Sequence, residues 1–373
     1  MVQYLRAANV KDGLLDLRDV KSMNFDPVEQ SRFALVPGDV LVTEGSGSLS
    51  AVGASSVWSG EIPGTVCFQN TLLRLRPRKS TDPRFLAWWC RYAFADGLFA
   101  SIATGANIHH LSAERVRALP MTYLPLDRQR AIAGYLDTET ARIDALITKK
   151  RRMIELLEER VDSRIRDWIG RSELVCDASD VSVNSAPIRR VLTKLDRWSR
   201  NGEMITAFRD GEVTTRAARG REGFTNSWTE DARVQAVEVG DVVVHGLDGF
   251  SGAIGDAQLP GVCSPVYHVC SAGRGDGAFY GRLLRLLALD GYLGNFATST
   301  RERAVDFRNW DLFGRIPVPE VPLSEQLLIG NQIRAIRPLR RSIEQSETLA
   351  QERRQALITA AVRGEVAIPG VAA

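Results

Sequence analysis

His109 and His110 are adjacent, and adjacency argues against a metal site. Consecutive residues of a strand project to opposite faces, and no carboxylate or cysteine nearby completes a tetrahedral set. The five cysteines, Cys67, Cys90, Cys176, Cys263 and Cys270, contain no C-x-x-C pair, so neither a structural zinc site nor a disulfide scaffold is expected. There is no phosphate-binding G-x-x-x-x-G-K-[ST] loop, and no Asn/Asp-Pro-Pro-aromatic motif of the kind adenine methyltransferases carry. No set of residues recommends itself for catalysis. Binding chemistry is better represented. Lys and Arg total 48 against 45 Asp and Glu, a formal net charge of +3, so any affinity for phosphates has to be local. Two stretches are locally basic. Arg74, Arg76, Arg78, Lys79, Arg84 and Arg91 have only Asp82 among them, and Arg189, Arg190, Lys194, Arg197, Arg200, Arg209, Arg216, Arg219 and Arg221 outnumber their acids. For any single arginine a solvated face or a partner interface is the plainer reading; as groups they suit a DNA backbone.

Base edges are read by side chains with donors and acceptors on loops or helix ends. Two Gly-rich loops offer such side chains: Glu44-Gly-Ser-Gly-Ser48, with Ser46 and Ser48, and His245-Gly-Leu-Asp-Gly249, with His245, Asp248 and the following Ser251. Glycine lets backbone approach a duplex closely, although a plain hairpin turn has the same composition. Gln69, Asn70 and Tyr267 are weaker candidates, because each could equally satisfy buried backbone groups. Trp88 and Trp89, with Phe85 and Leu86, read as an apolar helix face belonging to a core.

Both loops sit inside a two-copy repeat. Leu35-Val-Pro-Gly-Asp-Val-Leu-Val42 returns as Val237-Glu-Val-Gly-Asp-Val-Val-Val244, and each copy leads through its loop to Ala51-Val-Gly53 or Ala253-Ile-Gly255. Val116-Arg-Ala-Leu-Pro120 is echoed by Phe313-Gly-Arg-Ile-Pro317, and Leu124-Pro-Leu-Asp-Arg-Gln129 by Val321-Pro-Leu-Ser-Glu-Gln326. The offset is 202 residues at Gly38 and 197 at Pro125, so the order is kept with small insertions, which suggests pseudo-twofold symmetry.

Character changes at each Pro-Leu-x-x-Gln element. Before it, short Val/Ile/Leu/Phe runs alternate with Gly, Pro, Ser and Asp clusters, as in a strand-rich domain with a few helices. After it a long helix is predicted. Leu136, Thr140, Ile143, Ile147, Lys150, Ile154, Leu157, Val161, Arg164 and Trp168 follow the four-three spacing of a coiled-coil seam. Ile329, Ile333, Ile336, Arg340, Ile343, Glu347, Ala350, Arg354, Leu357 and Ala361 repeat it, with Pro338 predicting a kink or a helix start. Neither helix can bury its stripe alone, so an antiparallel pairing is the simplest expectation; packing of each on its own domain is the alternative. Lys149-Lys-Arg-Arg152 has Glu155, Glu158 and Glu159 at helical spacing and is assigned to structure or subunit docking.

The string Leu124-Pro-Leu-Asp-Arg-Gln-Arg-Ala-Ile-Ala-Gly-Tyr-Leu-Asp137, followed by Ile143-Asp-Ala-Leu-Ile147 and Ile154-Glu-Leu-Leu-Glu-Glu-Arg160, resembles the central region of specificity subunits of type I restriction-modification systems. Arg353-Arg-Gln-Ala-Leu-Ile-Thr-Ala-Ala-Val-Arg-Gly-Glu365 resembles the family's closing helix. Tyr4-Leu-Arg-Ala-Ala-Asn-Val10, Pro37-Gly-Asp-Val40 and Thr104-Gly-Ala-Asn107 resemble its target-recognition pattern, and the resemblance covers nearly the whole chain.

It implies an α+β protein: two mixed α/β target-recognition domains separated by two long helices that form an antiparallel coiled coil. The expected boundaries are 1–123 for the first recognition domain, 124–170 for the central helix, 171–186 for a Ser/Asp-rich linker, 187–318 for the second recognition domain and 319–365 for the C-terminal helix. It further implies a non-catalytic DNA-binding subunit that reads a bipartite site and takes part in host defence. Methyltransferase (modification) subunits would bring S-adenosylmethionine for adenine methylation, and restriction/translocase subunits would bring ATP and magnesium; this chain would carry no cofactor. By position in the family pattern, Thr104, Asn107, His109 and His110 are the first choice of reader in the first domain. Ser299, Arg301 and Arg303 are their counterparts in the second. Ile143, Ile147, Ile154, Leu157, Val161, Ile333, Ile336, Ile343 and Leu357 mark the helices expected to dock partner subunits. A helix of ~35 residues spans about 50 Å, enough to act as a ruler between half-sites roughly one DNA turn apart.

One departure stands out. In the second copy about 17 residues, Pro187 to Glu203, precede the segment that aligns with Tyr4, whereas the first copy starts almost at it. The first domain is therefore expected to lack its opening, and a displaced start, a truncation and completion by residues near the C-terminus all stay open. No apolar run approaches the ~20 residues of a bilayer span, and Met1 to Lys11 lacks a signal peptide's apolar stretch, so a cytoplasmic protein without membrane attachment is expected. The competing class is a coiled-coil protein-interaction scaffold with two ligand-binding end domains.

Overall fold

The structure is a computed structural model that describes residues 1–172, 174, 184–199, 202–215, 217–219, 234–296 and 307–368. It divides into two compact units, one made of Met1–Lys149 with Gln345–Ala373 and the other of Lys150–Glu344. Most of the segment read as a linker, and the positions Ser299, Arg301 and Arg303, lie outside the described residues, as do Arg200, Arg216 and Arg221.

The repeated Gly-Asp-Val strand is the centre of each unit. In the first, Val40–Thr43 lies between Ser55–Val57 and Leu72–Leu75, antiparallel to both. Val40 and Val42 face a core built by Phe85, Trp88, Trp89, Ile132 and Leu136, while Leu41 faces a second core with Leu5, Trp58, Val66 and Leu72. In the second unit Val242–His245 lies between Ile254–Asp256 and Tyr267–Ser271, and Thr193–Lys194 adds a fourth strand. The alternation recurs: Val242 and Val244 face Phe279, Leu283 and Ile329, and Val243 faces Ile205, Val213 and Val269. A strand covered on both faces has to be apolar throughout, which accounts for the unbroken Val/Leu runs of the repeat. Each such side chain contributes roughly 1.5–3 kcal/mol of burial.

The turn into each strand needs its glycine. Gly38 has φ 97° and Gly240 φ 89°, a region costly for residues with a side chain. The next residue closes the turn, because the Asp39 carboxylate accepts from Val36 N at 2.9 Å and that of Asp241 from Glu238 N at 2.8 Å.

A domain helix follows the sheet in each unit, Pro83–Ala95 and Gly277–Leu289, capped by Asp82 and Asp276 respectively. Trp88 and Trp89 are buried in the first of these, as an apolar helix face requires. The two long helices are continuous, Leu126–Arg171 and Leu323–Val362, and each gives one half to each unit. Their halves run antiparallel in both. In the first unit Arg128 donates to Gly364 O and Asp144 pairs with Arg354; in the second Glu158 pairs with Arg340 and Arg164 with Glu325. All twenty seam positions are buried or half-buried.

Pro338 does not start a helix; it lies inside Leu323–Val362. The missing backbone donor and ring clash cost ~3 kcal/mol or more in a helix interior. The turn before it is held from outside, since Arg334 grips Asp276 at 3.1 and 2.7 Å and Arg337 grips Asp256.

Candidate nucleic-acid interface

In the first unit the fold joins what the sequence kept apart. Gly45–Ser46 and His109–His110 form a two-stranded antiparallel ladder in which Ser46 faces His109 and Gly45 faces His110. Thr104 and His110 exchange backbone hydrogen bonds at 3.0 and 2.8 Å, and Leu111 N donates to Glu44 O at 2.8 Å. The loop between them turns at Gly105 (φ 116°), where a Cβ would come within 1.9 Å of Ile108 O. Asn70 sits at the turn beside Thr71, whose carbonyl accepts from Glu44 N. The surface so assembled carries Ser48, Asn70, Thr104, Asn107 and His110 exposed, with Ser46 and His109 half-buried. Glu44 lies within it, its carboxyl pushed above the usual range by partial burial against the pull of His110. The result is a mixed donor and acceptor surface suited to base edges.

The second unit repeats the junction with different chemistry. Phe307 N donates to Gly246 O at 2.8 Å, matching the Leu111–Glu44 bond of the first copy. His245 Nδ1 accepts from Leu247 N at 3.1 Å and Asp248 N at 3.0 Å, and its ring packs edge-on against Tyr267 at 4.5 Å. Burial holds this imidazole below its ordinary pKa, so the ring is an acceptor that shapes its own loop. Asp248 accepts from Arg209 at 3.0 Å, Ser251 is half-buried, and Tyr267 is buried. His268, which no sequence signal singled out, is buried; its Nε2 bonds Phe307 O, and its ring stacks on Phe313 with centroids 5.7 Å apart. Desolvation depresses its pKa too.

Several basic side chains are engaged within the chain. Arg76 makes a two-pronged bond to the fully buried Asp39, both contacts 2.7 Å. Arg74 donates to Ala34 O at 2.9 Å and lies over Phe68, Arg84 pairs with Asp137, and Arg91 pairs with Asp12 while covering Trp88. Arg197 pairs with Asp241 and Glu238, and Arg219 with Asp210 and Glu212. Arg78, Lys79, Arg189 and Lys194 are exposed. On the long helix Arg152 pairs with Glu155 and Glu159 at 3.1 and 3.0 Å, while Glu158 is taken by Arg340.

The residue reasoning from sequence passed over is the glutamine of the Pro-Leu-x-x-Gln element. Gln129 is buried, accepts from Asp82 N at 2.9 Å, and donates to Leu124 O at 2.8 Å and Ser80 O at 3.1 Å. Gln326 is buried as well, accepting from Asp276 N at 3.2 Å and donating to Val321 O at 2.7 Å. Its recurrence in both copies was the available signal.

Among the described residues no cluster of three or more His, Cys, Asp or Glu could hold a metal ion, and no helix is long and apolar enough to cross a membrane. Cys67, Cys90, Cys263 and Cys270 are free and buried.

The fold, with its duplicated central strand and two long helices, is shared with solved type I S subunits. Over 98% of this chain it matches a chain solved in work on complex assembly and conformational transition of the type I R-M system, with TM-score 0.62, 15% identity and 92% of that chain covered. It also matches the HsdS subunit from Thermoanaerobacter tengcongensis, with TM-score 0.51, 14% identity and 98% and 91% of the two chains covered. The sequence relatives are specificity subunits. The chain is similar to the type I restriction enzyme StySPI specificity subunit of Salmonella potsdam and to the EcoKI specificity subunit of Escherichia coli (strain K12), 27% identical to each over 154 residues. That stretch is 41% of this chain and 33% and 32% of theirs, so the match spans about a third of the length of these relatives. No family model matches the chain.

Proposed function

We propose that the chain is a non-catalytic DNA-recognition subunit in which each unit reads one half of a bipartite site and partner subunits do the chemistry. The observation that carries this is the duplicated loop junction beside the central strand. In the first copy the Gly-rich loop is tied to the segment that the family pattern makes the reader, by Leu111 N to Glu44 O, and the second copy repeats that bond at the matching position, Phe307 N to Gly246 O. In this reading residues 1–123 and 187–318 are the recognition domains, 171–186 is a linker, and 124–170 and 319–365 are the helices that set the gap and dock partners. Methyltransferase subunits carrying S-adenosylmethionine methylate adenines in the site. Restriction subunits carrying ATP and magnesium cut where methylation is missing, all in the cytoplasm. Val366 and Ile368 pack against the core of the first unit, which favours completion of that recognition domain by residues that follow the second helix.

The test is methylome sequencing of cells with and without this chain, its modification subunits present in both. Adenine methylation at one split motif is expected only with the chain. Duplex binding by the assembled complex should weaken steeply as salt rises, since phosphate contacts release counterions. Unchanged methylation, with no salt-sensitive binding, overturns the reading in favour of a scaffold.

A further inference from the structure

Resting on that reading, we infer that Gln129 and Gln326 are positioning residues that determine which gap between half-sites is accepted, without touching DNA. Each glutamine lies in the first turn of a long helix and holds the backbone of the residue that caps the domain helix, Asp82 or Asp276. The same side chain also ties back to the carbonyl ahead of its own helix, Leu124 or Val321. One buried amide therefore joins the start of the rod to the start of the helix that backs the recognition sheet. Apolar packing resists separation but has little directional preference; hydrogen bonds with fixed donors and acceptors define an angle.

The contact is duplicated although its surroundings differ, which separates it from incidental packing. Around Asp276, Arg334 grips the carboxylate at 3.1 and 2.7 Å, and Gly330 makes room for it, since a Cβ there would come within 2.1 Å of Oδ1. Around Asp82, position 133 is alanine, and Arg84 and Arg130 approach only to 3.7 and 4.0 Å, with no two-pronged grip. The glutamine is common to both.

The experiment uses the full chain with its modification subunits, on a library of sites that keep both half-sites and vary the gap by single base pairs. Gln129→Met and Gln326→Met retain length and remove both hydrogen-bonding atoms. Arg334→Gln, at an exposed residue, loosens the same cap from the other side and leaves the buried amide in place. The parent is expected to methylate one gap length strongly. Each glutamine variant should lose about tenfold in discrimination against neighbouring gaps, the scale of one buried hydrogen bond left unmade, with the half-site bases unchanged. Arg334→Gln should shift the same profile less. A profile unchanged in shape while total methylation falls overturns the inference, as does a change in half-site bases; Arg334→Gln decides alone should a methionine variant fail to fold. If the parent methylates no split site, the recognition reading fails. If it does and every variant keeps one gap, that reading stands and the clamp fails.

Discussion

The two units share one plan and execute a central detail differently. Both bury an aspartate behind the glycine turn and neutralise it with an arginine. In the first unit this is Arg76, from the end of the strand Leu72–Leu75; in the second it is Arg197, from the segment between Pro187 and Glu203 that has no aligned counterpart in the first copy. The buried carboxylate is the constraint and the source of the cation is free to vary. An uncompensated charge there is costly, and any arginine within reach removes the cost. The loops beside the strands diverge in the same manner. The first is closed by a two-residue ladder, Gly45–Ser46 with His109–His110, and the second by His245 and His268 bonding to backbone.

The comparison breaks or sharpens under three changes. Phe85→Ala and Phe279→Ala remove equivalent, fully buried rings and should each cost about 3–5 kcal/mol. Hydrogen exchange should place the loss in the mutated unit; an equal loss of protection in both would show that they do not unfold separately. Next come the arginines. Arg76→Ala leaves the fully buried Asp39 without its two-pronged partner and should cost about 3 kcal/mol, with roughly 2 for Arg197→Ala, where Asp241 is partly reached by water. Denaturant unfolding followed unit by unit checks the order, and a larger cost for Arg197→Ala would reverse the argument.

The smallest effect is acid sensitivity of the second unit. His245 and His268 both have folded pKa values held below the unfolded one, so the unfolded chain takes up protons first. The stability they support is present above the unfolded value, near 6.5, and is lost as pH falls through it. The slope is at most about 1.4 kcal/mol per pH unit for each histidine. His268→Leu, which imports the residue of the matching position Leu73, should flatten that slope between pH 7 and 5.5. It should also lower stability at neutral pH by about 1 kcal/mol or more, because Phe307 O loses its partner. A slope identical to the parent's would remove His268 from the account.

How much of this was legible follows from the range of each signal. The seam of the long helices was readable because four-three spacing is local, and every position so assigned is buried or half-buried. The Gly-Asp-Val strands were readable because a strand covered on both faces must be apolar throughout. The ladder joining Ser46 to His109 was not, since two-residue strands leave no period to detect. Gln129 and Gln326 looked like motif letters without a role because their partners lie 47 and 50 residues away. Reasoning from local basic density likewise could not see that Arg76 and Arg197 answer buried acids. Of the two outcomes read from Pro338, a kink or a helix start, the start is excluded because the residue lies inside Leu323–Val362, where Arg334 and Arg337 hold the preceding turn through tertiary ion pairs.

The way the helices are shared between units also sets an order of events during synthesis. Residues 150–344 form one uninterrupted unit, while 1–149 need 345–368 to finish theirs. With roughly 200 residues between those pieces and translation at about 5–20 residues per second, the earlier segment is left open for about 10–40 s. The part made first on the ribosome is thus the last to close, and a chaperone would meet its core before Ile358, Ala361 and Val362 have been added to it.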